Sequence, residues 1–360
     1  MDTAAPDDST EGTTTRRRRS RTSRVVLGLV LSLVLLAGVL GAAGLAADFT
    51  VRQRYDSNIE RFEDPFAALP EDSRPEVPAS DAEAGGEAQN YLLLGSDSRI
   101  SAGDASQWEA GAQRTDAIMI AHLPADRSGV YVMSIPRDTW VDVPGYGEAK
   151  INAAFSYGGP TLLVQTVEQL SGLRIDHVGV VDFEGFVGMT DALGGVEITV
   201  PEQTQGLDTT VPAGTYTMDG EQALAYVRQR YGLDGGDFDR VKRQQNWIRA
   251  VLGQALSRDT LTSPATLDEF LLATTSSISL DNGFGTGELR SLALQMRNLR
   301  RDDLEFLTVP VEGTGRSDDG QSIVLLDTEA ADGLWRAVLA GDVETWLQSD
   351  DADTLEETVD

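Results

Sequence analysis

Residues Val25 to Ala47 read VVLGLVLSLVLLAGVLGAAGLAA, 23 residues without a charge. As a helix this run would reach about 34 Å, enough to cross a hydrocarbon core of about 30 Å with some tilt. The segment just before it, RRRRSRTSR, carries six arginines, whereas Asp48, Arg52, Arg54 and Asp56 after it are mixed in sign. The positive-inside rule then places the N-terminus in the cytoplasm and the rest of the chain outside. A cleaved signal peptide is the competing reading. Its apolar core usually spans only about 7–15 residues, so a single-pass membrane anchor fits better.

That division organises the chain. Residues 1–24 form a basic cytoplasmic tail and 25–47 a transmembrane helix. Residues 48–88, acidic and carrying Pro65, Pro70, Pro75 and Pro78, read as a linker or stalk. Residues 89–347 form an extracytoplasmic domain, and 348–360 an acidic frayed tail. The whole chain has 29 Lys and Arg against 58 Asp and Glu, for a net charge of −29. The first 47 residues hold six of the basic and four of the acidic groups, so the remainder carries −31. Such a field repels nucleic acid, and any phosphate ligand must be held by a local cationic pocket. With no cysteine and only His122 and His177, thiol chemistry, Cys-ligated metals and a Ser-His-Asp triad are excluded or disfavoured.

Within the domain, apolar runs alternate with helix-period segments. Asn90–Leu94, Ala117–His122, Val130–Ile135, His177–Val181 and Val196–Val200 read as strands. Pro160–Ser171, Glu184–Leu193, Gly220–Val227 and Phe238–Leu256 read as helices. Further on, helices are expected near Ala265–Thr275, Glu288–Arg300 and Glu329–Leu339, with strands at Leu304–Val311 and Ile323–Asp327. The alternation predicts an α/β fold, a three-layer α-β-α sandwich around a central mixed sheet.

Polar clusters follow or precede these strands. Gly95-Ser96-Asp97-Ser98-Arg99 leaves the first, Arg114-Thr115-Asp116 enters the second, and Pro136-Arg137-Asp138 leaves the third. If neighbouring strands pair, the three clusters meet at one sheet edge. Two nearby carboxylates, Asp97 and Asp116, are costly unless a cation lies between them, and an all-oxygen donor set suits Mg²⁺. The plainer alternative is that both are strand-end caps. A second cluster holds Arg228, Arg230, Asp237, Arg240, Lys242, Arg243 and Gln244. Arg240, Arg243 and Gln244 share a helix face whose stripe continues through Trp247 and Val251. Asp237 stands at that helix's start, where an acid is favoured as a cap. In so anionic a domain, this density of cations calls for an anionic counterpart, and guanidinium is suited to bidentate phosphate recognition. Lys150-Ile151-Asn152 reads as a polar loop after the glycine-flanked Tyr146, and Gly158-Gly159-Pro160 as a helix start whose amides can face an anion. The apolar helices near Leu162–Leu170 and Phe183–Leu193 read as core, or alternatively as the wall of a lipid groove.

Taken together, NYLLLGSDSR, RTDAIMI, VYVMSIPRDTWVDVPGYGEAKINAAFSYGG, IDHVGVVDFEGF, DALGGVEI, MDGEQALAYVRQR and DFDRVKRQQ resemble the LytR-CpsA-Psr family across about residues 90–256. The resemblance implies a membrane-anchored phosphotransferase with a lipid-holding cavity. Such an enzyme moves a glycopolymer from a polyprenyl-pyrophosphate carrier onto peptidoglycan through a phosphodiester. It implies Asp97 and Asp116 as ligands of Mg²⁺ or Mn²⁺, and Arg114, Arg137, Arg228, Arg230, Arg240 and Gln244 as pyrophosphate binders. Arg137, Arg228, Arg230 and Asp237 would carry catalysis, with Asp237 or Asp138 as candidate base. A non-catalytic polyprenyl-phosphate-binding regulator and a polyprenyl-pyrophosphate hydrolase are the alternatives. The carboxylate pair beside the arginines favours catalysis over mere binding.

Overall fold

Every residue of the second and third predicted strands is buried, so the middle of the sheet is covered on both faces. That is why these strands read as continuous apolar runs rather than as alternating patterns. The computed structural model describes residues 55–76, 87–96, 115–181, 183–200, 204–205, 210–229, 237–255, 257–296, 299 and 303–355. The anchor and cytoplasmic tail lie outside the described residues; no helix among the described residues is long and apolar enough to cross a membrane.

The elements run β1 (Glu60–Phe62), β2 (Gln89–Ser96), β3 (Thr115–Leu123), β4 (Val130–Ile135), β5 (Trp140–Val143), β6 (Gly147–Lys150), α1 (Ile151–Ser171), β7 (His177–Val181) and α2 (Phe183–Ala192). They continue through β8 (Val196–Val200), β9 (Thr204–Gln205), β10 (Thr210–Val211), β11 (Gly214–Met218), α3 (Gly220–Arg228) and α4 (Asp237–Ala255). Then follow α5 (Arg258–Thr262), α6 (Pro264–Thr275), β12 (Ile278–Asp281), α7 (Thr286–Met296), β13 (Leu304–Thr308), β14 (Val311–Arg316), β15 (Ser322–Leu326), α8 (Thr328–Ala340), α9 (Val343–Trp346) and β16 (Asp353–Thr354). Eight strands form one sheet in the order β1-β12-β7-β2-β3-β4-β13-β16. It is mixed: β2 runs parallel to β7 and antiparallel to β3, while β4 runs antiparallel to β3 and parallel to β13. The expected α/β fold with a central mixed sheet is therefore the one observed.

Four local readings need correction. Ile151 and Asn152 are not in a polar loop; both are buried in the first turn of α1. Gly158-Gly159-Pro160 does not start that helix but breaks it: Gly158 and Gly159 leave helical geometry, and Gly159 takes a positive φ of 65°. Proline at position 160 cannot bond back into the preceding turn, and glycine tolerates the resulting backbone. The segment Leu304–Val311 is two strands, because Pro310 cannot extend the ladder. The tail from residue 348 is not wholly frayed, since β16 pairs with β13 to form the last strand of the sheet and Leu355 N–H donates to Phe306 O at 2.8 Å.

Part of the segment read as a linker is also docked. β1 pairs in parallel with β12. Arg74 Nη2 donates to Glu168 Oε1 at 2.6 Å and to the carbonyl of Ile175 at 2.6 Å, with its guanidinium 4.6 Å over the Phe66 ring. Both charged side chains are almost fully buried. Removing one partner of such a pair would leave an uncompensated buried charge, at a cost of about 3–5 kcal/mol.

His122, on β3 opposite Asn90, lies deep in this sheet. Its Nδ1 is 2.7 Å from Asn90 Oδ1, and because an amide oxygen can only accept, Nδ1 carries the proton. Burial, and secondarily the positive charge of Arg127, lowers its pKa from 6.5 to about 4. Between those values the unfolded imidazole binds a proton that the folded one refuses, so stability is fully present above pH 6.5 and falls as the pH drops toward 4. We expect a loss of about 3 kcal/mol over that interval relative to His122→Gln, read from urea denaturation of both proteins across the pH range. Parallel pH profiles for the two would contradict it.

Candidate active site

The C-terminal ends of β2 and β4 and the N-terminal end of β3 lie at one edge of the sheet, as the antiparallel pairings of β3 require. Ile118 pairs with Ile135, so extending that register by two residues sets Asp116 opposite Arg137. The two side chains make an ion pair in which Arg137 Nη1 donates to Asp116 Oδ1. Asp116 is 7% exposed, so this charge is held largely out of water and the guanidinium is aimed by it.

The turn after β4 fixes the backbone of Arg137. Thr139 Oγ1 donates to Pro136 O at 2.6 Å, and Asn152 N–H donates to Arg137 O at 3.2 Å. Ile151 N–H donates to Thr139 O at 2.8 Å, joining the turn to the first residues of α1. Asp138 stands 3.2 Å from Lys150 Nζ and 3.9 Å from Arg137 Nε. It therefore acts as a clamp between two cations.

The second cluster is not a solvated basic face. Arg240, Arg243 and Gln244 are all buried on α4. Arg243 Nη1 donates to Gln229 Oε1 at 2.8 Å, and its guanidinium lies 4.6 Å over the Tyr226 ring. This ties α4 to the end of α3, where Arg228 occupies the last turn and a cation is favoured by the helix dipole. A capping box between Asp219 and Gln222 starts α3, so its start as well as its end is fixed. The Nε atoms of Arg137, Arg228 and Arg240 are all shielded from solvent.

Gln245 was not singled out from the sequence, yet it joins the two clusters. Its Nε2 donates to Ser134 Oγ at 2.8 Å and to Leu307 O at 3.0 Å, pinning α4 to β4 and β13 three residues before Arg137. A glutamine beside another glutamine in a helix carries no signal that one of them reaches a sheet. Trp247, as its stripe predicted, faces the core: it stacks on Phe186 at 3.9 Å and donates from Nε1 to Thr190 Oγ1 at 3.1 Å. Phe186, Met189 and Leu163 are fully buried, so core packing accounts for these side chains.

Of the expected site residues, Asp116 and Arg137 are in contact, and Arg228, Arg240 and Gln244 are carried on helices tied to each other and to β4. Asp237 begins α4, but its side chain is not among those described. Asp97, Arg114 and Arg230 lie outside the described residues. Among the described residues no group of three or more His, Asp or Glu could hold a metal ion. Asp116 by itself is a hard oxygen donor at a shielded edge, and Asp97 directly follows the last residue of β2.

The LytR_cpsA_psr family profile matches residues 65–338, and the chain belongs to that family. The cell wall biosynthesis protein LcpA of Corynebacterium glutamicum is 35% identical over 302 residues, covering 72% of this chain and 57% of LcpA. The chain therefore spans little more than half of that relative's length. The polyisoprenyl-teichoic acid–peptidoglycan teichoic acid transferase TagU of Enterococcus faecalis is 33% identical over 248 residues, 67% of this chain and 75% of TagU. The solved LytR-Csp2A-Psr enzyme from Actinomyces oris shares the fold, with a TM-score of 0.57 at 23% identity over 78% of this chain and 95% of that one.

Gln245→Leu keeps the volume of the side chain but leaves Ser134 Oγ and Leu307 O without their donor. We expect a folded protein destabilised by about 1–3 kcal/mol in chemical denaturation. An unchanged midpoint would show that this amide does not hold α4 in place.

Proposed function

We propose that this chain transfers a glycopolymer from a polyprenyl-pyrophosphate carrier to a sugar hydroxyl of peptidoglycan, forming a phosphodiester and releasing polyprenyl phosphate. The observation that carries the reading is the aimed Arg137–Asp116 pair at a sheet edge to which buried Arg240 and Gln244 are tethered. TagU, named as a teichoic acid transferase acting on peptidoglycan, and LcpA, named for cell wall biosynthesis, support the substrate class.

The pyrophosphate carries its own leaving group, so no nucleotide is needed outside the cell. Arg137, Arg228 and Arg240, with Arg114, Arg230 and Gln244, bind its oxygens and neutralise charge as the bond to the leaving phosphate lengthens. Shielding of the Arg137, Arg228 and Arg240 Nε atoms from water strengthens the contacts these side chains make. Asp116 keeps Arg137 oriented, and the Asp138–Lys150 contact holds the turn beneath it. With Asp138 engaged by two cations, Asp237 is the remaining candidate to take the proton of the attacking hydroxyl. Asp97 and Asp116 would hold Mg²⁺ or Mn²⁺, which supplies charge neutralisation at the phosphate oxygens. The anchor at residues 25–47 keeps the domain at the outer membrane face, where both substrates reside. The sheet forms the middle of a three-layer α-β-α sandwich.

The test is release of polyprenyl phosphate from a lipid-linked oligosaccharide by the full-length chain in detergent. Arg137→Ala and Arg230→Ala are expected to lose turnover by about 10²-fold or more while remaining folded. Undiminished turnover in both would overturn the site. Exhaustive chelation is expected to abolish turnover, with recovery on adding Mg²⁺ or Mn²⁺; full activity after chelation would remove the carboxylate pair from the mechanism.

A further inference from the structure

Two tyrosines outside the arginine site stand out on the surface. Tyr146 is 59% exposed and Tyr157 42% exposed, and their rings stack with centroids 4.7 Å apart and planes 19° from parallel. Solvent exposure of two large rings is unfavourable, and their mutual contact relieves it only in part. The chain is nonetheless shaped to present them.

Tyr146 sits at the tip of the β5–β6 hairpin. Pro144 and Gly145 occupy the centre of a turn closed by Tyr146 N–H donating to Val143 O at 2.9 Å. Gly145 and Gly147 both take positive φ, 79° and 77°, and a Cβ at either would meet nothing within 4 Å. Backbone conformation, and not space, therefore demands glycine on both sides of Tyr146. Tyr157 ends the first segment of α1, immediately before the Gly158-Gly159 break. The platform thus joins two elements that both start from the Arg137 turn. The hairpin leaves it at Trp140, and Asn152 at the head of α1 donates to Arg137 O. Tyr157 is five residues beyond Asn152, about 8 Å along the helix axis.

We propose that the stacked Tyr146–Tyr157 pair is a subsite for the uncharged pyranose rings of the acceptor glycan, holding the strand while one of its hydroxyls reaches the phosphate. The apolar C–H face of a hexose matches an exposed aromatic face, and flanking acceptors suit its hydroxyls. Glu148 and Asp142 pair across the same hairpin, and both are exposed. These carboxylates, in a chain of net charge −29, repel an anionic polymer. A neutral sugar ring is therefore the complementary occupant. The proposal rests on the transferase reading for its substrate class, but its test needs no donor chemistry.

The experiment titrates the full-length chain in detergent with a neutral N-acetylglucosamine oligosaccharide, and in a second arm with a poly(glycerol phosphate) chain. The wild type is expected to bind the neutral oligosaccharide and not the polyphosphate chain. Tyr146→Ala and Tyr157→Ala each weaken glycan binding about tenfold, with thermal melting unchanged, and Tyr146→Trp restores it to within roughly twofold. Glycan binding by both alanine variants equal to wild type, no glycan binding by the wild type, or a loss confined to the polyphosphate arm would each overturn the proposal. If either alanine variant misfolds, Tyr146→Phe and Tyr157→Phe keep the rings, and glycan binding must then persist for the proposal to hold. Absence of donor turnover alongside the expected titrations would remove the transferase reading and leave the platform standing.

Discussion

The contact between Asp116 and Arg137 is a consequence of strand register before it is a feature of any site. A one-residue slip between β3 and β4 would separate the two charges and turn the buried faces of both strands inside out. Close packing of each strand's side chains into its own layer opposes that slip, so the same packing that builds the core also aims the guanidinium. Around this fixed pair the other groups are placed by single polar links. Gln245 sets α4 against β4, Arg243 holds the end of α3, and the Asn152 amide binds the turn from below. The arginine side chains are thus positioned by hydrogen bonds that never touch a substrate.

Much of this was legible in the sequence. Polar triplets at the ends of three apolar runs imply a shared edge once neighbouring runs pair, and they do pair. The stripe from Arg240 through Trp247 told correctly which face of α4 turns inward. What the pattern did not reveal was the depth of that burial. Arg243 is as inaccessible as a core leucine, because stacking over Tyr226 and bonding to Gln229 compensate its charge, and both partners lie on a different helix. The role of Gln245 was equally hidden, since its partners are a strand serine and a carbonyl on β13, more than sixty residues away in sequence.

The corrections have a common cause. Composition suggested a linker before residue 89 and a loose tail after 347, because both stretches are acidic and one is rich in proline. Yet Glu60–Phe62 and Asp353–Thr354 each complete the sheet, and Arg74 enters the interior by finding Glu168. Similarly, Gly158-Gly159-Pro160 resembled a helix start because those residues are helix breakers; here helical chain lies on both sides of the break. Local composition describes the residues, whereas long-range partners decide what they do.

The two outermost strands of the sheet, β1 and β16, are only three and two residues long. Each comes from a segment flanking the main body of the domain, and each covers backbone that would otherwise be open to a neighbouring molecule. Trimming the protein to its apparent catalytic body, for instance from residue 89 to residue 347, would strip both covers at once. The shortened fragment would expose β12 and β13 as bare ladders, inviting self-association between copies even though every residue of the arginine cluster had been kept.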